Sequence, residues 1–167
     1  AAYSQAGLAA AIKDGKLEIA LTEGTYSLAT VPAGLKLVGF EDNVVLDMKG
    51  KAAGVNGATT MENITIEFSN ANYKGFQHTS TEYYKDCTIV GQPFLYGENV
   101  TFEGCTFEQS SADAYNVWTY GAKNVTFNDC TFNSAGKSVL VYTESGNGSV
   151  VTFNGCTLNA SSPVEGK

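Results

Sequence analysis

Asn99-Val-Thr-Phe-Glu-Gly-Cys-Thr-Phe107 recurs 25 residues later as Asn124-Val-Thr-Phe-Asn-Asp-Cys-Thr-Phe132, and Ser149-Val-Val-Thr-Phe-Asn-Gly-Cys-Thr-Leu158 follows with one residue inserted. Within a unit Val100 and Phe102 alternate with Thr101, Glu103-Gly104 interrupts, and Cys105 and Phe107 alternate with Thr106. This alternation describes two short strands meeting at a two-residue corner, with the apolar side chains on one face. A hairpin meander would give alternating units. Identical units in identical register stack in parallel instead, each side chain about 4.8 Å from its counterpart.

Working outward, Cys87, Cys105, Cys130 and Cys156 mark one coil per interval, at spacings of 18, 25 and 26 residues. Tyr84-Lys-Asp-Cys-Thr-Ile89 keeps the second half of the pattern and Asn63-Ile-Thr-Ile66 reads as its first half. Asn43-Val-Val-Leu46 and Leu17-Glu-Ile-Ala-Leu21 read as earlier rungs. Asn43, Asn63, Asn99 and Asn124 fit sharp corners, because Asn tolerates a left-handed backbone. Asn63, Asn99, Asn124, Asn147 and Asn159 also match the N-glycosylation acceptor pattern. The first three of these fall at the repeat's own corner, so the turn reading comes first.

The opening segment follows a different period. Ser4 supplies a helix cap, Leu8, Ala11 and Ile12 lie at helical spacing, and Gly15 is the stop. Residues 1–16 are therefore expected to cap the first rung, and 17–167 to form the coil stack, cut short at its C-terminal end.

Composition narrows the function classes. All ten basic residues are Lys and the net charge is -7, which excludes the clustered cations that nucleic acid binding needs. No stretch approaches the ~20 apolar residues of a membrane span, and no signal peptide is contained in the chain.

The Val-Thr-Phe-x-x-Cys-Thr-Phe units, the Asn corners and Gly24-Thr25-Tyr26 resemble the pectate-lyase-like superfamily of right-handed β-helices. More narrowly, they are similar to repeat domains of bacterial secreted or surface proteins. The resemblance covers roughly residues 5 to 160 and implies an all-β fold. That fold is a single-stranded right-handed parallel β-helix of about six to seven coils with a short N-terminal capping helix. It leaves activity open, since the superfamily hosts lyases, hydrolases, esterases, phage tailspikes and non-catalytic adhesins on one scaffold.

The superfamily's lyases use a basic residue, usually arginine, with a calcium-binding aspartate cluster. This chain has no arginine, and Asp14, Asp42, Asp47, Asp86, Asp113 and Asp129 do not recur at one repeat position. Its hydrolases carry paired aspartates and a His-Gly segment, whereas here the one histidine, His78, precedes Thr79 and no Asp-Asp pair occurs. Glu98, Glu103 and Glu108 read as solvated corner and strand-exit residues. No catalytic residue, cofactor or metal site is assigned. The cysteines occupy one inward column, where a free thiol packs as a small apolar group.

Aromatic residues give the one functional hint. Phe94-Leu-Tyr96, Trp118-Thr-Tyr120 and Leu140-Val-Tyr142 align on successive coils. One strand parity exposes Tyr96, Trp118, Tyr120 and Tyr142 as a strip suited to stacking on sugars, and the other buries them, the more ordinary outcome. Outward threonines, Thr101 with Thr126 and Thr88 with Thr106, Thr131 and Thr157, would suit an ice or surface binder. The sequence thus points to a non-catalytic β-helix domain of an exported bacterial protein, extracellular or at the cell surface. Its role would be adhesion, contact with a glycan or host-surface ligand, or rigid spacing. The rival is a divergent or fragmentary polysaccharide lyase or glycoside hydrolase. Val151, Phe153 and Leu158 on an uncovered last rung further imply end-to-end self-association.

Overall fold

Helix α1 (Gln5–Lys13) begins at Ser4, whose hydroxyl accepts the Gly7 amide at 3.2 Å, and ends before Gly15 at φ 78°. Its Leu8 is fully buried, and Ala11 and Ile12 pack on the first coil. The computed structural model describes residues 4–50, 53–141 and 148–166, and of 53–56, 77–79 and 140 the backbone alone.

Every strand pairing is parallel, and the strands stack into three sheets. The first runs β1 (Glu18–Leu21), β4 (Leu35–Gly39), β6 (Ala53–Glu62), β8 (Phe76–Lys85), β10 (Asn99–Glu103), β13 (Asn124–Asn128) and β16 (Val150–Asn154), with β3 (Thr30–Val31) beside β6. The second runs β2 (Gly24–Tyr26), β5 (Val44–Asp47), β7 (Thr65–Glu67), β9 (Thr88–Val90), β11 (Thr106–Gln109), β14 (Thr131–Ser134) and β17 (Thr157–Asn159). The third holds β12 (Tyr115–Trp118), β15 (Lys137–Val141) and β18 (Ser162–Gly166). The structure completes about five turns, slightly fewer than the six or seven expected. Rungs overcount turns, because a turn needs all three sides and the third is regular strand only in the last three coils.

The repeat is in register residue for residue: Val100, Phe102, Phe107 and their equivalents stack between β10, β13 and β16 and between β11, β14 and β17. One interior column reads Ile19, Leu37, Met61, Tyr84, Phe102, Phe127 and Phe153. Its last four rings lie nearly parallel, with centroids 4.8, 5.2 and 5.3 Å apart. Stacked rings at this spacing add to the burial term that holds each coil on the next.

The corner asparagines divide into two sets. Asn43 and Asn63 are left-handed, at φ 62° and 53°, but Asn99 and Asn124 open extended strands. Asn63-Ile-Thr-Ile66 pairs with Asp86-Cys-Thr-Ile89, so it is the second half of a unit rather than the first. The left-handed corner is the column Asn43, Asn63, Asp86, Gly104, Asp129 and Gly155. Asn, Asp and Gly are the residues that hold this conformation at least cost, which is why the column changes identity without changing shape.

Candidate functional site

On the third side Phe94 bridges to Trp118, which pairs with Leu140, confirming the alignment of these segments. Leu95 and Thr119 are buried between them, so Tyr96, Trp118 and Tyr120 turn to the outside and are half-buried there. Tyr142 lies outside the described residues. Trp118 stacks flat on Phe94, with centroids 4.6 Å apart and planes 11° apart. Stacking along the rod covers a ring face and presents an edge to solvent. Tyr120 is turned against its neighbours, 5.5 Å from Tyr96 and 5.4 Å from Tyr73 in edge-on contacts. Tyr73, from the loop after β7, is the open member of the cluster at 55% exposure and leans on Phe94 at 5.4 Å. Beside Trp118, the Tyr115 hydroxyl donates to Glu165 at 2.7 Å, and Lys137 bonds the same carboxylate at 2.7 Å. Burial first, then the Glu165 bond, raises the Tyr115 phenol above its ordinary range.

A broad concave feature lies elsewhere, along the far edge of the second sheet. A groove of about 390 Å³ is lined by Val90, Glu108, Ser110, Asn133, Ser134 and Asn159. A second hollow of about 150 Å³ shares Val90, Glu108, Gln109 and Ser110 and continues to Ser69 and Asn70. The two follow the rod axis across successive coils. Asn133 donates to Glu108 at 3.0 Å and Asn159 to Asn133 at 3.0 Å, which orients the side-chain amides as a ladder. Gln109, buried beneath, donates to Asn70 and to the Tyr115 carbonyl, both at 2.8 Å. The arrangement offers donors and acceptors in repeating sets, a surface for hydroxyl-rich chains rather than for an apolar ligand. Its residues stand one position beyond the repeat as first read: Thr106-Phe-Glu108, Thr131-Phe-Asn133 and Thr157-Leu-Asn159 recur as Thr-apolar-polar.

Glu108 is the one carboxylate among the described groove-lining residues. Of the other two glutamates near that coil, Glu103 accepts the Tyr83 hydroxyl at 2.5 Å and Glu98 pairs with Lys123 at 3.8 Å. Among the described residues no cluster of three His, Cys, Asp or Glu is placed to hold a metal. The side chain of His78 lies outside the described residues. The outward threonines stack as the columns Thr101, Thr126, Thr152 and Thr65, Thr88, Thr106, Thr131, Thr157, the second beside the column Glu67, Val90, Glu108, Asn133 and Asn159.

Comparison with known families bears on the scaffold. A family model described as a right handed beta helix region matches residues 33–164. The chain belongs to the right-handed β-helix family. No curated protein and no solved structure matched the chain. Family membership leaves the site to be argued from its own geometry.

The interior of this β-helix also holds polar groups that sequence reasoning did not single out. Glu82, 1% exposed, takes an inward position on β8 between Thr59 and Val100 and accepts the Tyr84 hydroxyl at 2.5 Å. Burial, reinforced by Glu82, raises the Tyr84 phenol well above its usual range. All four cysteines are free; Cys87, Cys105 and Cys130 are buried and Cys156, on the last rung, is half-buried. Their thiols donate to backbone carbonyls of the first sheet, as Cys156 does to Phe127 at 3.2 Å. Cys105 is pulled down by Cys130 but pushed up by Cys87 and burial, to about 12, which keeps it a thiol at neutral pH.

Proposed function

We propose that this chain is a non-catalytic β-helix domain of an exported bacterial protein, acting outside the cell by contacting a glycan. The observation that carries the reading is the polar groove along the second sheet, where the Glu108, Asn133 and Asn159 ladder presents hydrogen-bonding groups at coil spacing. A polymer with a repeating hydroxyl pattern is the ligand such a surface fits. The loop after β7 places Asn70 at this groove and Tyr73 on the aromatic cluster, so one segment serves both surfaces. Aromatic edges at Tyr96, Trp118 and Tyr120 form the secondary contact, and Tyr73 offers the open ring. End-to-end contact through the C-terminal coil belongs to the same reading, as a means of presenting more than one groove.

The non-catalytic part rests on charge. Glycoside hydrolysis needs two carboxyl groups facing each other across the bond, and the described groove lining supplies Glu108 alone.

Trp118 is the single tryptophan, which makes its fluorescence a local reporter. Titration with neutral and acidic oligosaccharides is expected to give a saturable shift for one class. Asn133→Ala with Glu108→Ala is expected to weaken binding about tenfold or more, the loss of two or three hydrogen bonds. No binding across both classes, or release of new sugar ends on incubation, would overturn the reading.

A further inference from the structure

Glu108 and Val90 stand where the two hollows of the second sheet meet, since both hollows are lined by this pair. The outward column that contains them reads Asp47, Glu67, Val90, Glu108, Asn133 and Asn159 along the rod. At the head of this column the chain supplies an ammonium of its own: Lys49 Nζ lies 3.3 Å from Asp47 and 3.0 Å from Glu67. Two rungs on, no such group arrives. Glu108 Oε1 accepts the Asn133 amide at 3.0 Å, and the second carboxylate oxygen has no partner among the described residues. The other glutamates of that coil are engaged. Glu103 accepts from Tyr83 on one oxygen and from Asn128 on the other, and Glu98 pairs with Lys123.

The wall beside Glu108 is fixed from within by two glutamines, Gln92 and Gln109, each 4% exposed. Gln109 donates to the Asn70 side chain and the Tyr115 carbonyl and accepts the Ser111 amide at 2.9 Å. Gln92 donates to the Asn70 carbonyl at 3.2 Å and accepts the Tyr115 amide at 2.8 Å. The loop after β7 is thereby tied to the segment that follows β11. The opening that Glu108 lines is formed before any ligand enters, which lowers the ordering cost of binding.

Charge decides what fits there. No lysine is among the described lining residues of either hollow, and the chain as a whole carries a net charge of -7. A uronate at this point would meet a half-buried carboxylate with no cation to offset it. A neutral ring would cover that carboxylate without compensating its lost hydration. An ammonium answers both, as Lys49 does on the same column, and the field of the chain draws it in.

We infer that the junction at Glu108 is a subsite for an ammonium group, so that the glycan contacted is a polymer bearing free amino groups. Glu108 takes the charge, Val90 lies against the C–H face of the sugar, and the Asn133 and Asn159 amides meet hydroxyls further along the rod. The inference rests on the glycan-contact reading above and names its ligand class.

Calorimetric titration of the whole 167-residue chain with glucosamine, N-acetylglucosamine and galacturonate oligomers of matched length tests it, at a mildly acidic pH where the amine is charged. The glucosamine oligomer is expected to bind about fivefold to tenfold tighter than its acetylated twin, with the galacturonate oligomer weakest. Added salt should shrink the preference. Glu108→Gln keeps an acceptor for Asn133 but removes the charge, and should bring the glucosamine and N-acetylglucosamine affinities together. Glu98→Gln removes the same charge from a corner outside the groove and should leave their ratio as it was. Circular dichroism of both variants checks that the fold persists. Acetylated or acidic oligomers that bind as tightly as the amine form overturn the ammonium subsite and leave glycan contact standing. A preference that survives Glu108→Gln, or that Glu98→Gln also abolishes, overturns its placement at Glu108. Binding of none of the three overturns the glycan reading itself, and the subsite with it.

Discussion

At Gly91 the backbone runs at φ +90°, and an added Cβ would lie 1.9 Å from the Phe68 carbonyl oxygen of the coil below. Gly50 has a similar φ of +70° with nothing within 4 Å. The two positions separate strain from contact. Gly50→Ala should cost about 1 kcal/mol, the left-handed penalty for an L residue. Gly91→Ala should cost roughly 3 kcal/mol or more, because backbone must move against a packed neighbour. Urea midpoints measure both, and equal costs would mean that the coils are not in close contact at Gly91. Ser138 poses the opposite case: its hydroxyl is fully buried and, like the Asn116 side-chain amide oxygen of the preceding rung, finds no hydrogen-bond partner among the described residues. Ser138→Ala is therefore expected to be neutral or to stabilise by up to about 1 kcal/mol in the same assay.

At the scale of strands and corners, the repeat was legible wherever one unit kept all of its letters. Coils from β10 onward were readable because Val-Thr-Phe and Cys-Thr-Phe differ, which orders the two strands. In the earlier coils Asn43-Val-Val-Leu and Asn63-Ile-Thr-Ile carry no such mark, and an asparagine before an apolar alternation fits either corner. The left-handed column settles it, since Asn63 sits over Asp86 and not over Asn99. The cysteine column was readable for the same reason as the Phe column, but not the loss of cover at its end. Thiol titration of the native protein should accordingly find Cys87, Cys105 and Cys130 unreactive and Cys156 slow but accessible, with four groups after denaturation without reductant. A shortfall after denaturation would show crosslinks. On the outer face of the first sheet, the Tyr83 phenol is raised from 10.0 to about 12 by its bond to Glu103, with burial adding to the shift. A raised pKa means that the folded state favours the protonated phenol. Its contribution is full below pH 10, and is lost as pH rises through about 12. Tyr83→Phe should flatten that part of the alkaline melting profile, and an unchanged profile would assign the alkaline loss to other groups.

Across the whole molecule, the parity of the aromatic segments could not be read from sequence because Phe94-Leu-Tyr96 is apolar on both faces. The structure resolves it through Leu95, buried in the core, and Thr119, a polar residue buried at the equivalent position of the next coil. Long-range stacking also governs how stability is distributed along the rod. Phe127 is fully buried between Phe102 and Phe153, whereas Phe153 has a ring on one side only and is half-buried. Truncating a core Phe to Ala costs about 3 to 5 kcal/mol when the site is closed on all sides. Phe127→Ala should show that full cost at any protein concentration. Phe153→Ala should cost about half as much in dilute protein, since the burial term scales with the area withdrawn from water. If the C-terminal coils pair, Phe153 gains a second cover as concentration rises, and association stabilises the folded chain by mass action. The wild-type melting temperature should then rise with concentration, that of Phe153→Ala should rise less, and the gap between them should widen towards the Phe127→Ala cost. Calorimetry over a hundredfold range of concentration reads all three, and a gap that stays constant would leave the last rung open to water.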